Sequence, residues 1–157
     1  MYYTSQKIID AVRSYFNNLP FVDLCSSHEA NERVKAAQFF DDYTKATDKS
    51  LLSVIKGIFA NPPYDRGFLD NFVPHFFRLV EDTNLPYILL VNSSTSSRWY
   101  QVCHLKASQA VICSKRIAFY DSTLGVEVSK NRYAQTMFIG GLPFEKIRSF
   151  GVTVALV

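Results

Sequence analysis

An apolar run of strand type, Val54 to Ala60, ends abruptly in Asn61, two prolines and Tyr64, followed by Asp65, Arg66 and Gly67. Neither Pro62 nor Pro63 has an N–H to donate to a sheet ladder, so the chain must turn out of the sheet there. The turn falls at the carboxyl end of a strand, where open α/β sheets bind their ligands.

What this corner presents is chemically specific. Asn61 offers a side-chain carbonyl oxygen, Pro62 a backbone carbonyl and Tyr64 a flat aromatic face, on a backbone stiffened by Pro62 and Pro63. Two adjacent acceptors suit an exocyclic amino group with its two N–H donors, and the ring suits stacking on a planar heterocycle. The bland alternative is a Pro-Pro turn with a buried tyrosine, and the remaining sequence has to separate the two.

The chain has 157 residues, enough for one α/β core and no second domain, so 1–157 is read as a single domain without a separate target-recognition domain. A hydrophobic content of 48% describes a globular chain. The longest apolar run, Pro86 to Val91, is too short to cross a bilayer, and Met1-Tyr2-Tyr3-Thr4 has no basic region leading into an apolar core; a cytoplasmic protein without a membrane is expected. Cys25, Cys103 and Cys113 are an odd set that suits neither a disulfide framework nor a zinc site. His28, His75 and His104 are scattered, so no metal is expected. The net charge of +3 is compatible with nucleic acid but does not argue for it.

Along the chain, Thr4 is placed to cap a helix from Ser5 to Asn17, and Phe21 to Cys25 reads as a buried strand ending in Ser26-Ser27. A charged helix from His28 to Ala37, a short strand at Gln38-Phe39-Phe40 and a polar loop from Asp41 to Ser50 follow. Phe68, Leu69, Phe72, Val73, Phe76, Phe77 and Val80 share one face of a helix in which Pro74 predicts a kink. Pro86 to Val91 is a second buried strand, Arg98 to Leu105 a helix, and the remainder alternates strand-like runs with turns at Ala110 to Cys113, Ile117 to Tyr120, Thr136 to Ile139 and Val152 to Val157. The pattern predicts an α/β fold with a mostly parallel sheet finished by an antiparallel C-terminal hairpin. Cys25 reads as a small filler in a tight loop, His28 as a surface residue, and Trp99 as either a base-stacking or a core residue.

Asn61-Pro62-Pro63-Tyr64 resembles the Asn-Pro-Pro-Tyr motif of the S-adenosylmethionine-dependent amino-methyltransferases. With Tyr3-Thr4-Ser5, Val22 to Ser27, Glu29-Ala30-Asn31, Asp48 to Leu51, Leu89 to Val91, Arg98-Trp99-Tyr100 and Lys115 to Phe119, the chain looks like the small phage-type DNA N6-adenine methyltransferases over nearly its whole length. The resemblance implies a reduced Rossmann-like class I methyltransferase sheet, S-adenosylmethionine as cofactor and DNA as partner, with a flipped adenine held by Asn61, Pro62, Pro63 and Tyr64. It implies that Tyr3, Thr4, Asp23, Cys25 and Ser26 lie at the methionine end of the cofactor. Asn31 and Asp48 would lie near its ribose and adenine, with Asp41 and Asp42 as rivals. Arg98, Lys115, Arg116, Lys130 and Arg132 are candidate phosphate contacts. Two departures stand out: the Asp23 loop carries Cys25-Ser26-Ser27 where many methyltransferases have glycines, and the short span from Asp23 to Asn61 predicts a reduced crossover. Methylation of RNA adenine or of a protein glutamine amide, and a non-catalytic relative that binds nucleic acid or a partner, are the alternative readings.

Overall fold

The computed structural model describes residues 2–65, 67–128 and 133–156. In chain order its elements are β1 (Tyr2–Thr4), α1 (Gln6–Tyr15), β2 (Phe21–Asp23), α2 (His28–Val34), β3 (Gln38–Phe39), β4 (Gly57–Ala60), α3 (Phe68–Thr83), β5 (Tyr87–Asn92), α4 (Arg98–Lys106), β6 (Gln109–Cys113), β7 (Phe119–Asp121), β8 (Val126–Val128), β9 (Gln135–Gly140) and β10 (Gly151–Ala155).

Successive strand residues point to opposite faces, and here both faces are covered. Val22, Ile58, Ala60, Leu89 and Val91 pack on one side with Leu69, Phe72, Val73, Phe76 and Phe77 of α3 and with Tyr100 and Cys103 of α4. Phe21, Phe59, Ile88 and Leu90 pack on the other with Ile8, Ile9, Val12 and Tyr15 of α1. This double burial is why the strands read as unbroken apolar runs rather than alternating ones.

The main sheet has seven strands in the order β10-β6-β9-β5-β4-β2-β3. β3, β2, β4 and β5 are parallel, β9 is antiparallel to both β5 and β6, and β10 is antiparallel to β6. The sheet is therefore mixed, and the expected C-terminal hairpin does not form: β6 separates β9 from β10. Met137, Phe138 and Ile139 are buried, which makes β9 an interior strand, whereas Val152 and Val154 on β10 are exposed at the edge. A second, three-stranded antiparallel sheet, β1-β7-β8, was not foreseen. β1 reaches β7 from far away in the chain, and β7 pairs with β8, its neighbour in sequence.

Local expectations shift in instructive ways. Ser5 rather than Thr4 caps α1, its Oγ accepting from Ile8 N at 3.4 Å, and Thr4 ends β1. The strand before Asn61 begins only at Gly57, and Val54 is exposed. Gly57 is required there because a Cβ would stand 2.5 Å from the Phe16 ring. Helix α3 runs on through Pro74, which lies on the exposed face where the carbonyl left without its usual N–H partner is open to water.

After β2 the chain crosses through α2 to β3 on one side, then returns past β2 to β4 on the other. The return carries a single 3-10 turn, Tyr43–Lys45, and no α-helix. Oppositely directed connections open a crevice at the carboxyl ends of β2 and β4. Among the described residues no helix is long and apolar enough to cross a membrane.

Candidate functional site

Because β2, β4 and β5 are parallel and β9 is antiparallel to β5, one sheet edge collects Asp23 from the end of β2, Asn61 after β4, Asn92 at the end of β5 and Gln135 at the start of β9. Three adjoining cavities line that edge. A central one of about 310 Å³ is walled by Tyr2, Tyr3, Thr4, Asp23, Cys25 and Asn61 to Tyr64, with Phe119 from the small sheet. Its neighbour, about 380 Å³, shares Tyr3, Cys25 and Pro63 and adds Ser26, Ser27, Asp41, Asp42, Tyr43 and Phe68. On the other side Tyr64 also walls a cavity of about 470 Å³ with Asp65, Asp70, Asn92, Ser93, Trp99 and Tyr133.

Asn61 is half-buried and its Nδ2 donates to Thr4 Oγ1 at 3.2 Å. Spending the amide nitrogen on Thr4 leaves the carbonyl oxygen as the group Asn61 has to offer a ligand. Pro62 is buried and Pro63 exposed. Tyr64 is 36% exposed, yet its hydroxyl is held inside: Gln135 Nε2 donates to it at 3.2 Å, and the Asn92 backbone also reaches it. Burial raises the phenol well above its ordinary pKa, so the hydroxyl stays neutral and works as an anchor for the ring.

Asp23 is 3% exposed, and its Oδ1 accepts from Cys25 N at 3.1 Å. Burial pushes its carboxyl up to about 7, against the Cys25 N–H that favours the charged form. A buried carboxyl facing a cavity with one hydrogen bond suits a cationic ligand group, which would restore the charge that burial disfavours. Burial likewise raises the Cys25 thiol, which rules it out as a ready thiolate nucleophile. Ser27 Oγ caps α2 by accepting from Ala30 N at 3.1 Å.

Not every residue singled out in the sequence reaches this edge. The Asn31 amide is used at both ends inside the fold, accepting from Ala36 N at 2.9 Å and donating to Ala36 O at 3.3 Å, so it closes the end of α2 and walls none of these cavities. Asp48 lies exposed in a turn and is not on the wall of any of the three, whereas its rivals Asp41 and Asp42 line the neighbouring cavity. Asp42 is committed to the 3-10 turn, its Oδ1 accepting from Thr44 N and Oγ1, and these bonds hold its pKa below the ordinary value. Arg98 is exposed at the start of α4, beside Trp99 of the large cavity. Lys115 and Arg116 are exposed on a separate cleft with Lys7 and Glu127. Lys130 and Arg132 lie outside the described residues.

Sequence reasoning passed over Gln135 and the small sheet. Gln135 is fully buried and directly opposite Asn92 in register. A glutamine opening an otherwise apolar strand was its one visible signal. Among the described residues no group of three or more His, Cys, Asp or Glu side chains is arranged to hold a metal ion.

Comparison with known proteins covers the same span. A sequence model of the family described as DNA N-6-adenine-methyltransferase (Dam) matches residues 1–155. No curated protein matches the chain.

Proposed function

The chain belongs to the DNA N-6-adenine-methyltransferase (Dam) family, and on that premise we propose that it transfers a methyl group from S-adenosylmethionine to N6 of an adenine in DNA. The carrying observation is that Asn61, with a half-free amide, walls the central cavity, while Tyr64, with an anchored ring, walls both that cavity and its larger neighbour. One cavity is fitted to the cofactor and the other to the base.

The residues of the central and neighbouring cavities fit S-adenosylmethionine. The buried carboxyl of Asp23 suits its ammonium group, Tyr3, Cys25 and Ser26 wall the same space, and Asp41 and Asp42 offer acceptors to ribose hydroxyls. Bound there, the cofactor supplies an electrophilic methyl on a sulfonium. The sheet order and the switch between β2 and β4 support a Rossmann-like class I methyltransferase core with one crossover reduced.

Adenine N6 is a weak nucleophile because its lone pair is delocalised into the ring. Asn61 Oδ1 and the Pro62 carbonyl accept its two N–H donors and draw the nitrogen towards tetrahedral geometry, which localises the lone pair in the direction of the methyl. Tyr64 provides the face on which an extruded adenine rests, with Trp99 on the far side of the same cavity. Arg98, Lys115, Arg116, Lys130 and Arg132 are proposed phosphate contacts.

The test is transfer of radiolabelled methyl from S-adenosylmethionine to unmethylated bacterial DNA, with digestion to nucleosides and mass spectrometry. Label in N6-methyldeoxyadenosine is expected. No label in DNA, with cofactor binding confirmed by calorimetry, would move the acceptor to RNA or protein, and no cofactor binding would replace the enzyme with a non-catalytic relative.

A further inference from the structure

The Asn61 side chain has one carbonyl oxygen, so a turn of its amide by half a revolution would present N–H donors to an incoming amine and block it. In the structure the NH2 edge is taken by the Thr4 hydroxyl. We propose that Thr4 is a positioning residue for Asn61: its hydroxyl accepts from Nδ2 and anchors the side chain at the cavity wall, with Oδ1 the edge left for the amine. This rests on the adenine-methylation reading of the site and adds to it a role for the N-terminal strand.

The contact is long-range, joining positions that are 57 residues apart at 3.2 Å. It depends on β1 being held beside the main sheet, and several bonds hold it. Thr4 pairs with Phe119, Tyr3 with Tyr120 and Tyr2 with Asp121 across the antiparallel ladder to β7. Arg33 of α2 donates from Nη2 to the Thr4 carbonyl at 3.4 Å, while its guanidinium lies 3.5 Å from the centre of the Tyr120 ring. Arg33 thus ties α2 to β1 and β7 together, and the ladder holds the Thr4 backbone in front of Asn61. At the next residue, Ser5 caps α1, whose buried face is locked into the core. A loop side chain in this place would lose the contact to thermal motion; a strand residue fixed on both sides keeps it.

Thr4→Val preserves shape and removes the acceptor, and Thr4→Ser restores it. The expected result is a kcat for Thr4→Val at least tenfold below wild type and recovery of most of kcat in Thr4→Ser. A Thr4→Val kcat within twofold of wild type, with Asn61→Ala inactive, would overturn the positioning role and leave adenine methylation standing. If the wild-type protein methylates no adenine, the functional reading fails by itself. The Thr4 contact is then decided by hydrogen exchange of the Asn61 side-chain amide measured by NMR: faster exchange in Thr4→Val than in wild type supports it, and equal exchange in the two overturns it.

Discussion

Gln135 Nε2 donates to the Tyr64 hydroxyl at 3.2 Å, so a fully buried glutamine at the start of β9 holds the hydroxyl end of a residue that walls two cavities. The division of labour is physical. The polar end is satisfied inside the protein, and the residue still walls both cavities.

Removing the hydroxyl alone should therefore be costly. Tyr64→Phe strands the Gln135 amide in a dry environment and is expected to lower stability by about 1–3 kcal/mol, while the stacking face survives. Tyr64→Ala removes the face as well and should raise KM for DNA far more than Tyr64→Phe does. Thermal denaturation and steady-state kinetics of both variants check this; equal KM values would argue against stacking.

Asn61→Ala deletes the acceptor proposed to act on the amine. A loss of kcat of about 10²–10³ is expected, the size seen when one preorganised group at a developing charge is removed. Binding of S-adenosylhomocysteine, measured by calorimetry, should change little. Parallel loss of both would assign Asn61 to the cofactor instead.

Asp23 predicts a pH dependence with a definite sign. Its folded pKa, about 7, stands above the ordinary value of 3.8, so its contribution to stability is complete below pH 3.8 and is lost as pH rises through about 7. Denaturant midpoints of wild type should fall across that window, and Asp23→Asn should flatten the slope. A cation bound beside the carboxylate reverses the preference, so affinity for S-adenosylmethionine should rise with pH through about 7, with proton release seen by calorimetry in two buffers. An affinity independent of pH would separate Asp23 from the ammonium group.

Gly57 opens β4, three residues before Ala60 hands the chain to Asn61. A Cβ there would meet the Phe16 ring at 2.5 Å, and Phe16 is itself buried between Tyr15 and Phe21. Gly57→Ala is expected to destabilise by about 1–3 kcal/mol through overpacking. An unchanged melting temperature would show that Phe16 moves aside freely.

The sequence by itself determined the α/β class, the buried strands and the corner at Asn61-Pro62-Pro63-Tyr64, because these follow from local rules: unbroken apolar runs, a 3.6-residue aromatic stripe in α3, and prolines that cannot stay in a ladder. The resemblance to the amino-methyltransferases also points to Tyr3, Thr4, Asp23 and Cys25, all of which line one cavity with that corner. Tertiary structure alone decided the rest. The placing of β9 between β5 and β6, and the pairing of β1 with β7, join segments far apart in the chain, and nothing in the spacing of either segment names its partner. The same holds for the site's finer contacts. The family resemblance favours Asn31 and Asp48 over Asp41 and Asp42, and only the fold shows that Asn31 closes its own helix while Asp41 and Asp42 line a cavity. Thr4 against Asn61 and Gln135 against Tyr64 are side-chain bonds across 57 and 71 positions, and both rest on strand pairings, β1 with β7 and β9 with β5, that no local pattern encodes.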